Sequence, residues 1–575
     1  MKKASLLLVL VLVILLAGCA RQQAQGSATA SAGAEGTVRP ADSKDSQGFV
    51  SYPAADYAAQ APGHPGGTLH LSTSTETTVL DPHGASATYV QWFGRLVFDN
   101  LVYLDAAGVA QPWLAKSWTI SPDGKTYTFH LRDDVTFSDG ARFDAEAVRV
   151  NLEHMRDPAT KSPLAGRYIA PYAEGRIIDE FTFEARLKQP YTPFLDVLAQ
   201  SWLAMLSPKQ IRENPKSATT APIGSGPFIL ESYKPQQGLR FVRRAEYHWS
   251  PPYLHHDGPA YLDRIEIDFI PEALIRYSGL AAGQYDLTFE LPTANAASVR
   301  ADPALVLDKR IRKGIPARGL TFNTGKAPFD DVRIRRAVAF AVDREGIVQL
   351  VGFGEYQPKT DFLAANTRYY DPAFRNLLHY DPAAANRLFD EAGWTGRDAA
   401  GYRTKEGRRL TADFLLTETA TPSPVAVAFQ SDLKKVGFEL RLVELPATQL
   451  TDHRNSGDYQ AISGGVWHTN TPDALYILHH SDEITTPERI GQNTSRLRDP
   501  EFDDLVSRAR QASDPVVLQD LYSQAQRRLI DLVPAIPLYE NYTFIAYRKR
   551  VHGLLFDTSH NTPVFTAAWL DADQR

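Results

Sequence analysis

Helical and strand patterns alternate through the second half of the chain, and this alternation constrains the fold more than any other feature of the sequence. Asp381 and Pro382 are typical of a helix start, an N-cap residue followed by proline at the first helical position. Apolar residues then repeat with helical spacing up to Gly393, a residue typical of a helix end: Ala385, Leu388, Phe389 and Ala392. This segment therefore predicts one helix of a mixed layer.

Two further helices and a strand extend the pattern. Asp331 can cap a helix whose apolar face contains Ile334, Ala337, Val338 and Ala341. Another helix pattern runs from about Pro424 to Gly437, and the alternating residues from Phe438 to Leu445 predict a strand directly after it. Helix and strand thus alternate from about 315 to 540, which predicts an α/β fold class.

The first half of the chain carries strand patterns as well. Apolar and polar residues alternate from Tyr127 to Leu131 and from Leu262 to Ile270. The folded body is predicted to begin at Gly66, because Leu69 and Leu71 are the first residues to alternate like a strand. The 575 residues are enough for about two to four domains.

Composition excludes several classes of protein. The 61 Lys and Arg residues nearly balance the 67 Asp and Glu residues, for a net charge of −6. A nucleic-acid-binding protein needs a basic surface against phosphate, so this class is disfavoured. The single cysteine excludes a disulfide framework and any CxxC type of zinc or redox site.

That single cysteine follows a secretory signal pattern. Lys2 and Lys3 precede an apolar run from Leu6 to Leu16, which is too short to span a bilayer. The run ends in Leu16-Ala17-Gly18-Cys19, which resembles the bacterial lipobox. The resemblance implies a lipoprotein signal peptide at 1–18, with lipid attached to the thiol of Cys19. Residues 19–65, rich in Ala, Ser, Gly and Gln, are predicted to form a flexible tether.

The stretch from Gln111 to Val148 carries the most specific pattern. It combines an acidic turn at Asp123, an alternating strand ending in Leu131 and Arg132, and Phe137-Ser138-Asp139-Gly140. The whole stretch resembles the signature of the peptide/nickel family, family 5, of ABC-importer substrate-binding lipoproteins. Other segments resemble further landmarks of that family in the same order: 224–228, 246–249, 280–286, 320–324 and 328–337.

The resemblance implies a two-lobed periplasmic-binding-protein fold of type II, cluster C. Lobe one is then expected over 66–314 and 545–575, with an extra subdomain at about 100–218, and lobe two over 315–544. The lobes are expected to close around a ligand by a hinge motion. The hinge is predicted near Pro316-Ala317-Arg318 and near 542–547.

The implied function is a lipid-anchored, extracytoplasmic receptor of an ABC importer, in the periplasm or on the outer cell surface. It would capture a small peptide or peptide-like solute, as a monomer without a cofactor, and deliver it to permease and ATPase subunits. Two alternatives are a nickel or metallophore-chelate receptor of the same family and a signalling receptor that reuses the fold. An enzyme is not expected, because the sequence contains neither a GxSxG elbow nor a GxGxxG loop.

The family resemblance also suggests ligand contacts. Dipeptide-binding members place an acidic residue three positions after a tryptophan, whereas this chain has Asn470 after Trp467. They also place an arginine on the loop where this chain has Glu418, so both charge anchors of a free dipeptide are missing. Glu418 is interpreted as a contact for a cationic group, and His468 as a residue facing the same cleft.

The nickel-binding branch of the family holds anionic chelators with arginines. This chain has Ser201 and Trp202 at one of those places and the segment from Lys161 to Arg167 around the other. Trp202, Tyr89 and Trp467 are predicted to stack on a ring or cover an apolar face of the ligand. Thr75, after the first strand, is a further predicted contact. No metal site is predicted, and the histidine pairs at 255–256 and 479–480 are interpreted as structural.

We predict that Cys19→Ser releases the protein from membranes, because the variant cannot carry the lipid. Fractionation of expressing cells measures this directly. A variant that still sediments with membranes would place the anchor elsewhere in the chain.

Overall fold

A computed structural model describes residues 43–44, 50–51, 63–74, 76, 79–85, 88–105, 107–419, 423–464, 469, 471–557 and 562–571, without the side chains of residues 43, 44, 50, 51, 88, 89 and 91. Cys19, and with it the predicted signal peptide, lies outside these residues. No helix in the described part of the chain is both long and apolar enough to cross a membrane.

The strands of the described residues, in chain order, are β1 Ser43–Lys44, β2 Val50–Ser51, β3 Thr68–Thr73, β4 Val102–Leu104, β5 Ala110–Pro112, β6 Ala115–Ile120, β7 Thr126–Leu131, β8 Tyr172–Asp179, β9 Thr182–Leu187, β10 Phe228–Lys234, β11 Gly238–Arg243, β12 Arg264–Phe269, β13 Leu287–Phe289, β14 Leu305–Ile311, β15 Ala317–Phe322, β16 Gly396–Arg397, β17 Arg403–Lys405, β18 Arg408–Arg409, β19 Thr411–Thr417, β20 Glu439–Leu445, β21 Ala461–Ser463, β22 Ala535–Tyr539, β23 Tyr542–Arg548, β24 Val551–His552, β25 Leu555–Phe556, β26 Pro563–Val564 and β27 Trp569–Leu570.

The α-helices of the same residues are α1 Thr88–Val97, α2 Ala145–Arg156, α3 Ala165–Tyr168, α4 Phe194–Leu198, α5 Pro208–Glu213, α6 Ala273–Ala281, α7 Ala296–Ala301, α8 Val332–Ala341, α9 Arg344–Gly352, α10 Pro382–Glu391, α11 Pro424–Lys435, α12 Ala447–Ser456, α13 Ala474–His479, α14 Pro500–Gln511 and α15 Pro515–Leu532.

Three sheets organise the chain. The first sheet has seven strands in the order β10-β11-β12-β3-β13-β23-β14, and the second has five in the order β20-β19-β21-β15-β22. The third sheet is antiparallel, in the order β6-β7-β9-β8. Its strands, with α2 to α5, form what we call the third-sheet region, residues 113–213. One hydrophobic core joins this region to the first sheet, and a separate core lies around the second sheet.

The helices predicted from capping signals are confirmed. The side chains of Asp331, Asp381 and Ser423 accept hydrogen bonds from backbone N–H groups in the first turns of α8, α10 and α11. The predicted strands over 127–131, 262–270 and 438–445 appear as β7, β12 and β20. These helices and strands could be predicted because their caps and apolar spacing involve only residues that are close in sequence.

The chain crosses twice between the first and second sheets, at 312–316 and at 540–541. Ile311 pairs with Tyr542 in the first sheet, and Ala317 pairs with Tyr539 in the second. Of the predicted hinge residues, Pro316 lies in the first crossover, whereas 317–318 and 542–547 lie in strands β15 and β23, next to the crossovers. Backbone hydrogen bonds within the two sheets hold those residues. The chain passes from one sheet to the other between these strands.

A segment of the second lobe ties both crossovers together. The backbone N–H of Gly314, in the first crossover, donates to the Thr367 hydroxyl at 2.8 Å, and that of Ala364 donates to the Gly314 carbonyl at 2.9 Å. In the second crossover, the Glu540 carboxylate accepts from the backbone N–H of Ala365 at 2.9 Å. Residues 364–367 therefore fasten the two connecting strands to one another.

A buried ion cluster lies at the same place. The Lys359 Nζ lies 2.9 Å from Asp361 Oδ1 and 3.0 Å from Glu540 Oε1, and all three side chains are at most 2% exposed. Burial alone lowers the pKa of Lys359, but the charges of Asp361 and Glu540 outweigh it and raise that pKa above its ordinary value. The cluster depends on this cation, since both carboxylates would otherwise be buried without a counter-charge.

We predict that Lys359→Met lowers the free energy of unfolding by about 3 to 5 kcal/mol, because it leaves two buried carboxylates unpaired. The matched control is Lys326→Met, whose ion pair with Asp458 is exposed and is expected to contribute at most about 1 kcal/mol. Denaturant unfolding of the two variants measures the difference, and equal losses would contradict this account of the cluster.

Candidate functional site

The two sheets turn equivalent edges toward each other. In the first sheet β12, β3 and β13 are parallel, and in the second β20, β19 and β21 are parallel. The first crossover runs from the end of β14 to the start of β15, and the second runs from the end of β22 to the start of β23. Both lie beside the carboxyl ends of these parallel strands. Ligands of open α/β sheets bind outside the carboxyl ends of parallel strands. We call the space between these two edges the cleft.

The first sheet contributes one wall of the cleft. The Thr73 hydroxyl, at the end of β3, is buried and has no hydrogen-bond partner in the described part of the chain. At the end of β13, Glu290 has a φ of +54° and accepts a hydrogen bond from the Ser74 N–H at 3.1 Å. A positive φ is unusual for glutamate, and such positions concentrate at functional sites.

Aromatic residues and an arginine continue this wall toward the crossover. Trp92 of α1 stacks on Phe289 with ring centroids 4.5 Å apart. The Arg312 guanidinium lies 5.5 Å from the Trp92 ring and donates to the Thr543 hydroxyl at 2.7 Å. Burial lowers the pKa of Arg312 to about 10, still far above neutral pH, so the side chain is a partly desolvated cation.

The segment from Leu198 to Ala204 includes a 3₁₀ turn at Ser201–Leu203 and packs against α1, where a Cβ on Gly94 would lie 3.8 Å from the Ser201 Cβ. We call this segment the second wall. Buried polar side chains hold its backbone. The Arg95 guanidinium donates to the Ala199 carbonyl, and the Asn100 amide donates to the Leu198 and Gln200 carbonyls, all at 2.8 Å. The turn is therefore rigidly placed against α1.

Side chains of this segment present polar atoms without partners. Both amide atoms of Gln200 and the Ser201 hydroxyl are buried and lack a hydrogen-bond partner among the described residues. The same holds for the indole N–H of Trp92 on the neighbouring helix α1. Buried polar groups in folded proteins are nearly always hydrogen-bonded, so these groups are candidate contacts for a bound molecule. The groups are neutral, and they include both donors and acceptors.

The second sheet supplies the opposite wall. Arg318 lies at the start of β15, where burial, followed by the positive charge of Arg454, lowers its pKa to about 10. A Cβ on Gly464, directly after β21, would lie 2.5 Å from the Arg318 carbonyl oxygen, so only glycine fits there. Thr469 is also buried, and its hydroxyl has no hydrogen-bond partner in the described chain.

Two buried histidines border these walls. Burial, followed by the charge of Arg318, lowers the pKa of His479 to about 3. His83 Nε2 contacts the Ala204 carbonyl at 2.9 Å, and its Nδ1 lies 2.9 Å from His154 Nδ1. Since a carbonyl only accepts, neutral His83 donates from Nε2 and accepts from His154 at Nδ1. Burial lowers the pKa of His83 to about 4, so both His83 and His479 are neutral at pH 7.

The third-sheet region also touches the second lobe directly. The Tyr191 hydroxyl donates to Asp473 at 3.1 Å, and the Thr192 N–H donates to the Arg510 carbonyl at 2.8 Å. Arg510 forms a bidentate ion pair with Asp473, with 2.6 Å between Nε and Oδ1 and 2.9 Å between Nη2 and Oδ2. These contacts join the third-sheet region to helices α13 and α14.

The structure describes two of the predicted ligand contacts in full. Trp202 is 2% exposed and stacks on Tyr168 at 6.3 Å, beside the unpartnered Gln200 and Ser201. Glu418 is exposed and directly follows β19, at the edge that faces the cleft. The backbone of Tyr89 lies in α1, but its side chain is not described. Thr75, Trp467, His468 and Asn470 lie outside the described residues.

Gln200 is not among the contacts predicted from the sequence, and Ser201 is predicted only as a replacement for an arginine. Their burial follows from packing against α1, where a Cβ on Gly94 would lie 3.8 Å from the Ser201 Cβ. Nothing local in the sequence marks that contact. In the described part of the chain, no group of three or more His, Cys, Asp or Glu residues could hold a metal ion.

Comparisons with known proteins agree with this architecture. The family model described as bacterial extracellular solute-binding proteins, family 5 Middle, matches residues 109–484. The glutathione-binding protein GsiB of Shigella dysenteriae is 27% identical over 497 residues, which cover 84% of this chain and 91% of the relative. The nickel-binding periplasmic protein of Escherichia coli strain K12 is 28% identical over 471 residues, 80% of this chain and 86% of the relative.

A solved structure shows the same fold. NikA from Brucella suis, in complex with Fe(III)-EDTA, superposes with a TM-score of 0.77 at 25% identity, over 88% of this chain and all of NikA. The chain belongs to the bacterial extracellular solute-binding proteins of family 5, the substrate-binding proteins of ABC importers. The predicted family and the predicted periplasmic-binding-protein fold are therefore confirmed.

We predict that buried neutral histidines make the fold sensitive to acid. Below pH 6.5 the unfolded chain protonates His83, whereas the folded chain does so only near pH 4, so folding stability falls across that window. His83→Gln should reduce the slope of the unfolding free energy against pH by about 1.4 kcal/mol per pH unit between pH 6 and pH 4.5.

The test compares the pH dependence of stability in the variant with that in the parent protein. Burial raises the pKa of Asp99 and of Asp196 to about 6, so these acids stabilise the fold as the pH falls and oppose the effect of His83 in both proteins. Denaturant unfolding at several pH values measures the slopes, with His130→Gln at the exposed His130 as the control. An unchanged slope in His83→Gln would contradict the buried neutral state.

Proposed function

We propose that this protein captures a small peptide or peptide-like solute in the cleft and delivers it to the permease of an ABC importer. The observation that carries the proposal is the neutral polar wall formed by Gln200, Ser201 and the Trp92 indole N–H. A peptide unit presents one N–H donor and one C=O acceptor, and the Gln200 amide offers the complementary pair. The similarity to proteins named for glutathione binding supports the same class of solute.

The predicted contacts belong to this proposal. Trp467, His468 and Asn470 come after β21 in the chain, and we propose that they contact the solute. Thr75 comes after β3 in the chain and Tyr89 belongs to α1; we propose the same role for both, and for Trp202 of the second wall. Glu418 would meet a cationic group of the solute, such as the ammonium of a peptide.

The limits of the domains, the membrane anchor and the mode of action of the protein belong to the same proposal. We propose lobe one at 66–314 and 545–575, lobe two at 315–544 and an extra subdomain at about 100–218. After removal of residues 1–18, lipid on Cys19 would hold the mature protein at the outer face of a membrane. Residues 19–65 would form a flexible tether between the lipid and the folded part of the chain. It would act as a monomer that performs no catalytic step.

A receptor for a nickel or metallophore chelate is the second candidate. The similarity to the Escherichia coli nickel-binding protein and to NikA supports it. Against it, Arg167, in the segment expected to meet a chelator, already forms an ion pair with Glu483 at 2.5 Å. The neutral groups at Gln200 and Ser201 match an amide better than a chelator's carboxylates.

We predict that Trp467→Ala weakens solute binding at least about fivefold, or roughly 1 kcal/mol, because it removes stacking area from the cleft. Calorimetry on the full-length chain with glutathione and with dipeptides measures this. Trp118→Ala, on strand β6 of the third sheet, is the matched control and should leave affinity unchanged.

The same titrations separate the two candidates. Binding of a peptide or of glutathione in the presence of EDTA supports the first. Binding only of nickel with histidine supports the second and overturns the first. Peptide binding that is equally strong in Trp467→Ala and in the parent would contradict the proposed position of the ligand.

A further inference from the structure

One histidine caps a turn of the second lobe that reaches the third-sheet region. The turn is a 3₁₀ turn at Ser481–Glu483, which follows α13. The backbone N–H of Asp482 donates to His480 Nδ1 at 3.0 Å, so the imidazole caps the turn. His480 Nε2 lies 3.1 Å from the Ser507 hydroxyl oxygen on α14. Because Nδ1 accepts a hydrogen bond, the neutral ring carries its proton on Nε2 and donates it to Ser507.

The other end of this turn contacts the third-sheet region. Glu483 Oε2 lies 2.5 Å from Arg167 Nη1 of α3. Arg167 Nη2 also donates to the carbonyl of Ile490 at 2.6 Å, in the loop that follows the turn. The side chains of Arg167 and Glu483 are 18% and 12% exposed, so water and salt screen their attraction only partly. The position of the turn therefore decides whether this contact can form.

Three elements place charged or titratable groups around His480. In the described part of the chain these groups are Tyr476 of α13, Asp482 and Glu483 of the turn, and Asp503 and Arg510 of α14. Burial lowers the pKa of His480, against the charges of Asp503 and Asp482 and together with that of Arg510. The ring is therefore neutral at pH 7 and becomes charged in more acidic solution.

Protonation reverses the hydrogen-bonding role of His480 Nδ1. The neutral nitrogen accepts from the Asp482 N–H, whereas the protonated nitrogen is itself a donor and repels that N–H. The Asp482 carboxylate, with Oδ2 3.8 Å from Nδ1, is an acceptor within reach of the charged ring. A change of partner from the N–H to the carboxylate of the same residue removes the cap from the turn.

We propose that His480 is a proton-controlled latch on the contact between the second lobe and the third-sheet region. Neutral His480 holds the turn so that Glu483 meets Arg167, and protonation releases the turn. A 3₁₀ turn of three residues has few hydrogen bonds of its own, so it depends strongly on its cap. The bonds from the Ser481 N–H and hydroxyl to Asp503 remain, which confines the change to Asp482 and Glu483.

The latch bears on solute capture only through the proposed function, on which this consequence rests. A receptor that encloses a solute between two parts of the chain holds it less firmly when a contact between those parts weakens. Neutral pH would then favour retention of the solute, and acid would favour its release. The latch itself is a property of the protein without solute.

Hydrogen–deuterium exchange on the full-length chain without solute, at about pH 7.5 and about pH 5, tests the latch. After correction for the intrinsic effect of pH, the amides of 481–484 in the parent should lose about fivefold of their protection in acid, the effect of one hydrogen bond. His480→Asn keeps an acceptor for the Asp482 N–H but does not titrate, so its protection should change less than about twofold. His130→Asn, at the exposed His130 of β7, is the matched control and should behave like the parent.

The comparison of variants isolates His480 from other acid-sensitive groups. Burial raises the pKa of Asp196 to about 6, and this residue faces Asp473 at the same contact, but it titrates in the parent and in His480→Asn alike. A smaller acid response in His480→Asn than in the parent supports the latch. Unchanged protection of 481–484 in the parent, or equal responses in the two proteins, overturns it.

A second variant tests the other end of the turn. Arg167→Gln removes the partner of Glu483 and should lower the protection of 483–491 at both pH values, because the loop then lacks its contact with the third-sheet region. Unchanged protection in Arg167→Gln overturns the latch as well. Failure of the proposed function would appear separately, as absence of peptide binding in calorimetry, because the exchange experiment contains no solute.

Discussion

The double crossing of the chain between its two large sheets is the constraint on which the rest of the structure depends. Because Ile311 pairs with Tyr542 and Ala317 with Tyr539, each crossover is held at both ends by a strand ladder. The parallel strands of both sheets then end at the same gap, and the loops that follow them become the walls of the cleft. The buried cluster of Lys359, Asp361 and Glu540 fixes this junction from the side of the second lobe.

Charge is distributed unevenly around that gap. The junction holds a fully buried ion cluster, whereas the turn at Gln200 and Ser201 presents neutral donors and acceptors. Two desolvated cations, Arg312 and Arg318, belong to the walls that the first and second sheets contribute. Such a site favours a solute whose polar groups are mainly amides and whose anionic groups lie toward the arginines. This combination suits a peptide-like molecule.

Much of the architecture could be predicted from the sequence, and the limits have a physical cause. Helices α8, α10 and α11 follow from caps and apolar spacing within a dozen residues. The family followed from landmarks in a fixed order. The site residues at 200–201 and the pair of Arg167 with Glu483, 316 residues apart, depend on packing between distant segments that no local pattern encodes. The limits of the two crossovers could not be predicted residue by residue for the same reason, since strand register decides where a strand pairing ends.

Hydrogen–deuterium exchange on the full-length chain, with and without glutathione or a dipeptide in the presence of EDTA, tests the central claim most directly. If the solute lies between the lobes, amides on both sides of the cleft, near 73–76 and 198–204 on one side and near 318 and 464–470 on the other, should be protected together. Protection confined to one lobe would contradict the account.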